Sequence, residues 1–222
     1  VFSPTIEKIA ALGLDQLVDG FSTTDNPLAK LKYNALFAAM ALQNRFGKPV
    51  LATMSMRDRN SIALQSDLLG ANEANVRAIL ALTGDSAHYS DQPHAKGVFE
   101  GNSKLLLDII TTLNNGTDMA EQKLLAPVQE IYPFAVIDAY AKSAATLQKK
   151  MTKKVAHGAI AIISQPVYDL DNARQLLDQV YEQLDLARGY IDNGDTEAAA
   201  ASLKAAQLTL NQLIKLLDVD TD

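Results

Sequence analysis

The sequence predicts an α/β fold in which parallel strands alternate with helices. Short apolar runs, typical of strands buried on both faces, recur along the first 170 residues. Stretches with helical spacing lie between them, and this alternation favours parallel strands joined by right-handed crossovers. We count five βα units, preceded by a short helix at residues 5–12. The alternation alone leaves both an open doubly wound sheet and a β/α barrel possible.

The predicted strands are runs of four to six residues that are rich in Val, Ile and Leu. They lie at residues 16–21, 50–54, 78–82, 134–137 and 159–163. The clearest helix is predicted to begin at Asp25-Asn26-Pro27, an N-cap followed by proline at the first helical position, and to end at Gly47. Its apolar stripe consists of Leu28, Leu31, Ala35, Ala38 and Leu42.

The C-terminal part of the sequence has a different composition. From Leu170 to Val219 it is rich in Ala, Leu, Gln and Asp, and it lacks any strand pattern. Because Asn193-Gly194 interrupts it, we predict two antiparallel helices, at residues 171–192 and 196–217. The stripe that supports the second helix is Leu203, Ala206, Leu210, Leu213 and Leu217. We therefore expect two domains, residues 1–169 and a helical hairpin at residues 170–222 that serves for packing.

Composition excludes several classes of function. The net charge of -6 gives no basic footprint for nucleic acid, and the absence of cysteine excludes disulfides, zinc-thiolate sites and cysteine nucleophiles. His88, His94 and His157 lack metal-ligand spacing, so we expect no metal site. Neither GxGxxG nor GxxxxGK[ST] is present, which argues against a Rossmann or a P-loop nucleotide site. With no membrane-length apolar run and no signal peptide at Val1, we expect a cytoplasmic protein.

Every predicted strand ends in polar side chains, where parallel α/β folds bind ligands. For Asp25 and Asn60 the simpler interpretation is that they cap the following helix. Asp85 differs, because the next clear helix is not expected until about Lys104. A carboxylate at a strand end under a long loop is a candidate ligand-facing group.

A second candidate is a basic helix face. Lys150, Lys153 and Lys154 share one face at i, i+3, i+4 spacing, where like charges repel one another. Such a face needs either solvent or an anionic partner, for example a phosphate-bearing ligand. The residues alone leave both interpretations open.

Four stretches resemble the flavin-dependent methylenetetrahydrofolate reductases. They are "VDGFSTTDNPLAKLKYNAL", "RDRNSIALQSDLLGA", "VRAILALTGD" followed by "DQPHAKGVFEGNS", and "KKVAHGAIAIISQPVYD", in family order within residues 14–169. The resemblance implies a (β/α)8-barrel-like fold, incomplete here with about five parallel βα units and followed by the C-terminal helical hairpin. It also implies FAD at the carboxyl ends of the strands.

Roles for individual residues follow from the resemblance. It places Asp85, the predicted catalytic residue, beside the pyrimidine side of the flavin, and Thr24 in contact with the flavin. It implies that Lys153 and Lys154 reach the FAD phosphates, and Lys150 belongs to the same face. The remaining candidates are Ala159, which packs near the cofactor, and Gln165, which contacts folate.

The implied activity is a two-step hydride transfer, from NAD(P)H to FAD and from reduced FAD to 5,10-methylenetetrahydrofolate. The partners are then a folate substrate and NAD(P)H, with no nucleic acid and no membrane, and the chain is a possible homo-oligomer. This activity belongs to one-carbon metabolism and methionine biosynthesis.

The sequence departs from the family pattern in three places. The family's catalytic Glu ends a first strand that would precede Thr5 and is not found here, nor are the seventh and eighth strands. Thr53 or a neighbour stands where the family commonly has His. We expect a truncated or engineered chain, a portion closed by another copy, or a divergent homologue that binds without catalysis. The alternative function is thus a non-catalytic truncated, chimeric or divergent barrel domain that serves as a binding or interaction module.

Overall fold

The computed structural model describes residues 2–138, 144–165, 170–200, 202–203 and 206. Its five described strands form one sheet in which they follow each other in chain order, with helices between successive strands. This confirms the predicted fold class, an incomplete α/β barrel of five parallel strands with a helical C-terminal segment. The chain divides into two compact units, residues 1–133 and 134–222. No helix of the described residues is long and apolar enough to span a membrane.

The first unit contains three parallel strands and four helices. Phe21 pairs with Val50, and Leu51 pairs with Ala78, so that the second and third strands end side by side at Ser55 and Leu82. The elements in chain order are α1 (Ser3–Ala11), β1 (Phe21–Thr23), α2 (Ala35–Phe46), β2 (Val50–Ser55), α3 (Ser61–Glu73), β3 (Ala78–Leu82) and α4 (Ser103–Asn114), with 3-10 turns at Leu14–Leu17, Pro27–Ala29 and Ala87–Tyr89.

The core of this unit forms between the strands and one face of each helix from α2 to α4. The inner residues of β2 and β3 are fully buried, among them Ala52, Met54 and Ile79. Helix α2 packs on β1 and β2, whereas α4 packs on β3 and α3. The apolar face of α4 is completely buried and consists of Leu106, Leu107, Ile109, Ile110 and Leu113. Burial of such side chains stabilises the fold by roughly 1.5–3 kcal/mol each.

The described residues of the second unit include a parallel strand pair, two long helices and the start of a third helix. Strand β4 (Tyr132–Ile137) enters this unit at Phe134 and pairs with β5 (Ala161–Ser164), Phe134 lying opposite Ala161. Helix α5 (Ala144–Ala156) joins the two strands and buries Leu147 and Met151. Helix α6 is Leu170–Asp192.

The start of the second C-terminal helix is confirmed. Asp195 follows the Asn193-Gly194 turn, and its Oδ1 accepts a hydrogen bond from the Ala198 amide at 3.0 Å. Residues 196–200 are helical, Ala206 is buried and Leu203 is 43% exposed. The predicted helix end at residue 217 and the stripe residues Leu210, Leu213 and Leu217 lie outside the described residues.

The predicted first strand is wrong in its position. Part of the run 16–21 belongs to the 3-10 turn Leu14–Leu17, and β1 begins only at Phe21, whose amide donates to the Pro49 carbonyl at 3.0 Å. Leu17 is 78% exposed, so this apolar run is not a buried strand.

The predicted start of the next helix is also wrong. Helix α2 begins at Ala35, and its N-cap is Asn34, whose Oδ1 accepts from the Leu36 and Phe37 amides at 2.9 and 3.1 Å. Asn26 and Leu28 adopt left-handed backbone conformations with φ of 43° and 54°, which a helix cannot continue through. The end of the helix at Gly47, with φ of 64°, agrees with the prediction.

Candidate functional site

A buried ion pair joins the carboxyl ends of β1 and β2. The side chain of Asp25 is 1% exposed, and its Oδ2 accepts hydrogen bonds from the Ser55 amide at 2.9 Å and from Ser55 Oγ at 3.0 Å. Arg59 Nη1 donates to the same oxygen at 2.7 Å, and Arg59 Nε donates to Asp67 at 2.7 Å. Asp25 therefore does not cap the next helix, whereas Asn60 does, accepting from the Ala63 amide at 2.9 Å.

Arg57 forms a second ion pair at the end of β2. Its guanidinium is almost fully buried and donates to both oxygens of Asp58, at 2.7 and 2.6 Å. The hydrogen bond from Arg57 lowers the pKa of the Asp58 carboxyl, and the same bond raises the pKa of Arg57. The Arg57 carbonyl accepts from the Val98 amide at 2.6 Å, which anchors the loop that follows β3.

The carboxyl end of β3 presents Gly84 and Asp85. Gly84 has φ of 92°, and a Cβ there would lie 3.0 Å from Arg57 Cβ, so the backbone passes close to the end of β2. Asp85 is exposed, and its Oδ2 accepts from the Leu28 amide at 2.6 Å. Oδ1 accepts no hydrogen bond from the described residues. The carboxylate is thus held by one oxygen and open at the other.

Two threonines at the end of β1 have different surroundings. Thr23 is buried and its Oγ1 donates to the Ala35 carbonyl at 3.0 Å, which fixes the start of α2. Thr24 is exposed, and its hydroxyl makes no hydrogen bond to residues in the described ranges. Thr24 and Asp85 therefore follow the carboxyl ends of two strands, β1 and β3, that flank β2 in one sheet.

The lysines of α5 in the second unit are not equivalent. Lys150 and Lys153 are exposed, and neither forms an ion pair with the residues that the structure describes. Lys154 is half-buried, and its Nζ donates to the Val136 carbonyl on β4. Burial lowers the pKa of Lys154, and the neighbouring charge of Lys150 adds to this shift.

The other two candidates lie on either side of β5. Ala159 is buried between the end of α5 and the strand. Gln165 follows the strand and is exposed, and its amide donates to the Ile137 carbonyl at 3.1 Å. The side chain of Gln165 is thus presented at the carboxyl end of the β4–β5 pair.

Each unit, taken by itself, presents side chains whose chemistry suits part of a flavin dinucleotide. An open carboxylate oxygen on Asp85 and a free hydroxyl on Thr24 suit the polar edge of an isoalloxazine ring. Two exposed cations, Lys150 and Lys153, suit a diphosphate. Lys154 is half-buried and one of its ammonium N–H groups binds the Val136 carbonyl, so it supports β4 from the helix and keeps two N–H groups for a phosphate.

Sequence reasoning did not identify Arg57 and Arg59 as important to this edge. Both follow directly after a buried strand, and three acidic residues, Asp25, Asp58 and Asp67, are their partners. The only signal in the sequence is a pair of arginines at a strand end. Burial of their guanidinium groups depends on contacts between distant segments.

Comparison with known proteins identifies the family to which the chain belongs. The family model for methylenetetrahydrofolate reductase matches residues 6–185, which cover most of the chain. A search of curated proteins found no match. The family is generally flavin-dependent and uses folate and nicotinamide substrates. The matched residues contain all five described strands and every candidate site residue. The chain belongs to the methylenetetrahydrofolate reductase family.

Proposed function

We propose that the chain is a cytoplasmic flavoprotein that reduces 5,10-methylenetetrahydrofolate with NAD(P)H, in the one-carbon metabolism that leads to methionine. The observation that carries the proposal is the Asp85 carboxylate, exposed at the end of β3 with one oxygen held and the other open. Family membership supports the same reaction. Bound FAD would carry the hydride from the nicotinamide to the folate.

Asp85 positions and polarises the ligand in this proposal. The Leu28 amide holds Oδ2 and leaves Oδ1 open, and the loop that follows is anchored where the Val98 amide donates to the Arg57 carbonyl. A fixed negative charge at the pyrimidine side of the flavin ring would tune the reduction potential of the ring.

The remaining candidate residues bind rather than react. Thr24 would hydrogen-bond the flavin ring, and Ala159 would leave room beside it. Lys150 and Lys153 would pair with the diphosphate as exposed cations on α5. Gln165, exposed after β5, would hydrogen-bond the folate.

The test is an activity comparison between two aspartates of one loop. Asp85→Asn should lower folate reduction by about a hundredfold, since loss of a fixed charge near reacting atoms costs roughly 2.7–4 kcal/mol. Asp91→Asn is the matched control, because Asp91 is also exposed and also accepts from this segment, the Leu31 amide at 3.5 Å. Equal activity of the two variants would contradict the role of Asp85.

A second candidate function is binding without catalysis. The described chain before β1 is helical at Ser3–Ala11 and Leu14–Leu17, and its glutamate, Glu7, is exposed on α1. FAD binding with neither oxidation of NADH by menadione nor reduction of folate would favour this second function, whereas NADH oxidation without folate reduction would indicate a damaged enzyme.

A further inference from the structure

A cleft lies at the opposite end of the strands from the candidate site. It is bordered by the amino ends of β2 and β3 and by Tyr132 at the start of β4, all within the first unit. Its volume is about 410 Å³, within the range of small-molecule sites. Because β2 rises about 3.3 Å per residue, Val50 in the cleft is roughly 17 Å from the Ser55 end. The cleft is therefore separate from the edge that carries Asp85.

The charge of the cleft is unusual for this chain. Its lining includes Lys48 and Arg77 but neither an aspartate nor a glutamate, although the whole chain has a net charge of -6. Within the described ranges neither cation forms an ion pair. Two cations in a concave surface without carboxylates attract anions.

Arg77 is held in a fixed orientation. Its Nε donates to Asn75 Oδ1 at 3.0 Å, and its guanidinium carbon lies 5.4 Å from the centroid of the Tyr132 ring. The Asn75 carbonyl in turn accepts from Gln43 Nε2 at 3.0 Å. The two Nη groups of Arg77 donate to none of the described residues, so a planar pair of donors remains for a ligand.

Lys48 adds a second positive charge to the cleft that contains Arg77. Its Nζ donates one hydrogen bond to the Val18 carbonyl at 2.5 Å, which restricts the side chain and leaves two N–H groups. Pro49, Val50 and the ring of Tyr132 supply apolar surface in the same cleft. A guanidinium and an ammonium group in one cleft suit a tetrahedral dianion better than a monovalent carboxylate.

We propose that this cleft is a binding site for a small phosphate monoester. Arg77 and Lys48 bind the phosphate, and the organic part of the ligand lies against Tyr132 and Pro49. The proposal does not depend on the reductase activity, because none of its residues belongs to the candidate flavin and folate site.

The experiment is calorimetric titration of the full chain with inorganic phosphate at constant ionic strength. We expect saturable binding with a dissociation constant of about 1 mM, and acetate at the same ionic strength should bind at least about tenfold more weakly. Arg77→Gln and Lys48→Gln should each weaken phosphate binding by about tenfold, the scale of one charge-assisted hydrogen bond. Thermal melting without phosphate establishes that both variants fold.

Two controls separate this site from other basic surfaces. Arg45→Gln removes an arginine that stacks on Phe46 at the same 5.4 Å but lies outside the cleft, and it should leave phosphate affinity unchanged. Lys8→Ala, which alters an exposed lysine of α1 outside the cleft, should also bind phosphate normally. The proposal is overturned if binding does not saturate by about 50 mM phosphate, if acetate binds equally well, or if a control variant loses affinity as Arg77→Gln does.

Discussion

The Asp25 carboxylate is buried and joins three segments through Ser55 and Arg59. Asp25→Ala leaves the Arg59 guanidinium, whose side chain is 12% exposed, without its most buried partner. An uncompensated buried charge destabilises a protein by roughly 3–5 kcal/mol. We expect a loss of about 3 kcal/mol in the free energy of unfolding, measured by urea denaturation.

Asp67 provides the comparison for this prediction. It bonds the same arginine at 2.7 Å, but its side chain is 37% exposed. An exposed ion pair contributes about 0.2–1 kcal/mol, so Asp67→Ala should cost much less than Asp25→Ala. Similar losses for the two variants would show that burial of Asp25 does not stabilise this edge.

Acid stability depends on the Arg57–Asp58 pair. The hydrogen bond from Arg57 lowers the pKa of Asp58 in the folded chain, so the unfolded chain binds more protons between that pKa and the ordinary value of about 3.9. The stabilisation is therefore present above the ordinary value and is lost as pH falls through the folded pKa. Asp58→Asn should flatten the fall in unfolding free energy below about pH 4.

This effect should be modest and specific. Asp58 is 38% exposed, so solvent screens its interaction with Arg57. The control is Asp19→Asn, which changes an exposed aspartate that bonds none of the described residues. If both variants keep the acid dependence of the original chain, the pair does not contribute.

At the scale of elements, the ends of β2 and β3 meet at Gly84. Its φ is 92°, and the Cβ of an alanine there would lie 3.0 Å from Arg57 Cβ and 3.2 Å from Ser55 Cβ, so alanine would be strained and crowded. We expect Gly84→Ala to lower the free energy of unfolding by about 1–3 kcal/mol, as measured by thermal or urea unfolding.

Gly70 in α3 is the matched control. It has open space around its Cα, and alanine is favoured over glycine inside a helix by roughly 0.5–1 kcal/mol. Gly70→Ala should therefore stabilise the chain. If Gly84→Ala leaves the free energy of unfolding unchanged, the ends of β2 and β3 can move apart without destabilising the chain.

Local sequence predicted those elements whose boundaries depend on nearby residues. Strand β3 lies at the predicted residues, and α4 begins at Ser103, where Asn102 caps it through the Lys104 amide at 3.0 Å. The predicted helix at residue 25 failed because distant contacts hold the chain in another conformation. Asp85 binds the Leu28 amide at 2.6 Å, and no local pattern contains that bond.

The candidate site was predictable to a similar extent. Asp85 lies at a strand end under a long loop, as its position in the sequence indicated. The different surroundings of Lys153 and Lys154 were not predictable, because helical spacing does not show that Lys154 reaches Val136 on β4. Sequence spacing gives the helix face, and packing decides which members of that face remain available.

At the scale of the whole molecule, the central claim is that this chain binds FAD. The proposed contacts to the ring are Asp85 and Thr24, and the proposed contacts to the diphosphate are the exposed cations Lys150 and Lys153. The most direct measurement is quenching of flavin fluorescence during titration of the chain into FAD and, separately, into riboflavin, which lacks the diphosphate.

The proposed site predicts saturable FAD binding that Lys153→Ala weakens by about tenfold, the scale of one charge-assisted phosphate contact. Riboflavin binding should change little in that variant, and Lys8→Ala, which alters an exposed lysine of α1, should leave both affinities unchanged. Absence of quenching by FAD, or equal loss of FAD and riboflavin affinity in Lys153→Ala, would contradict the claim.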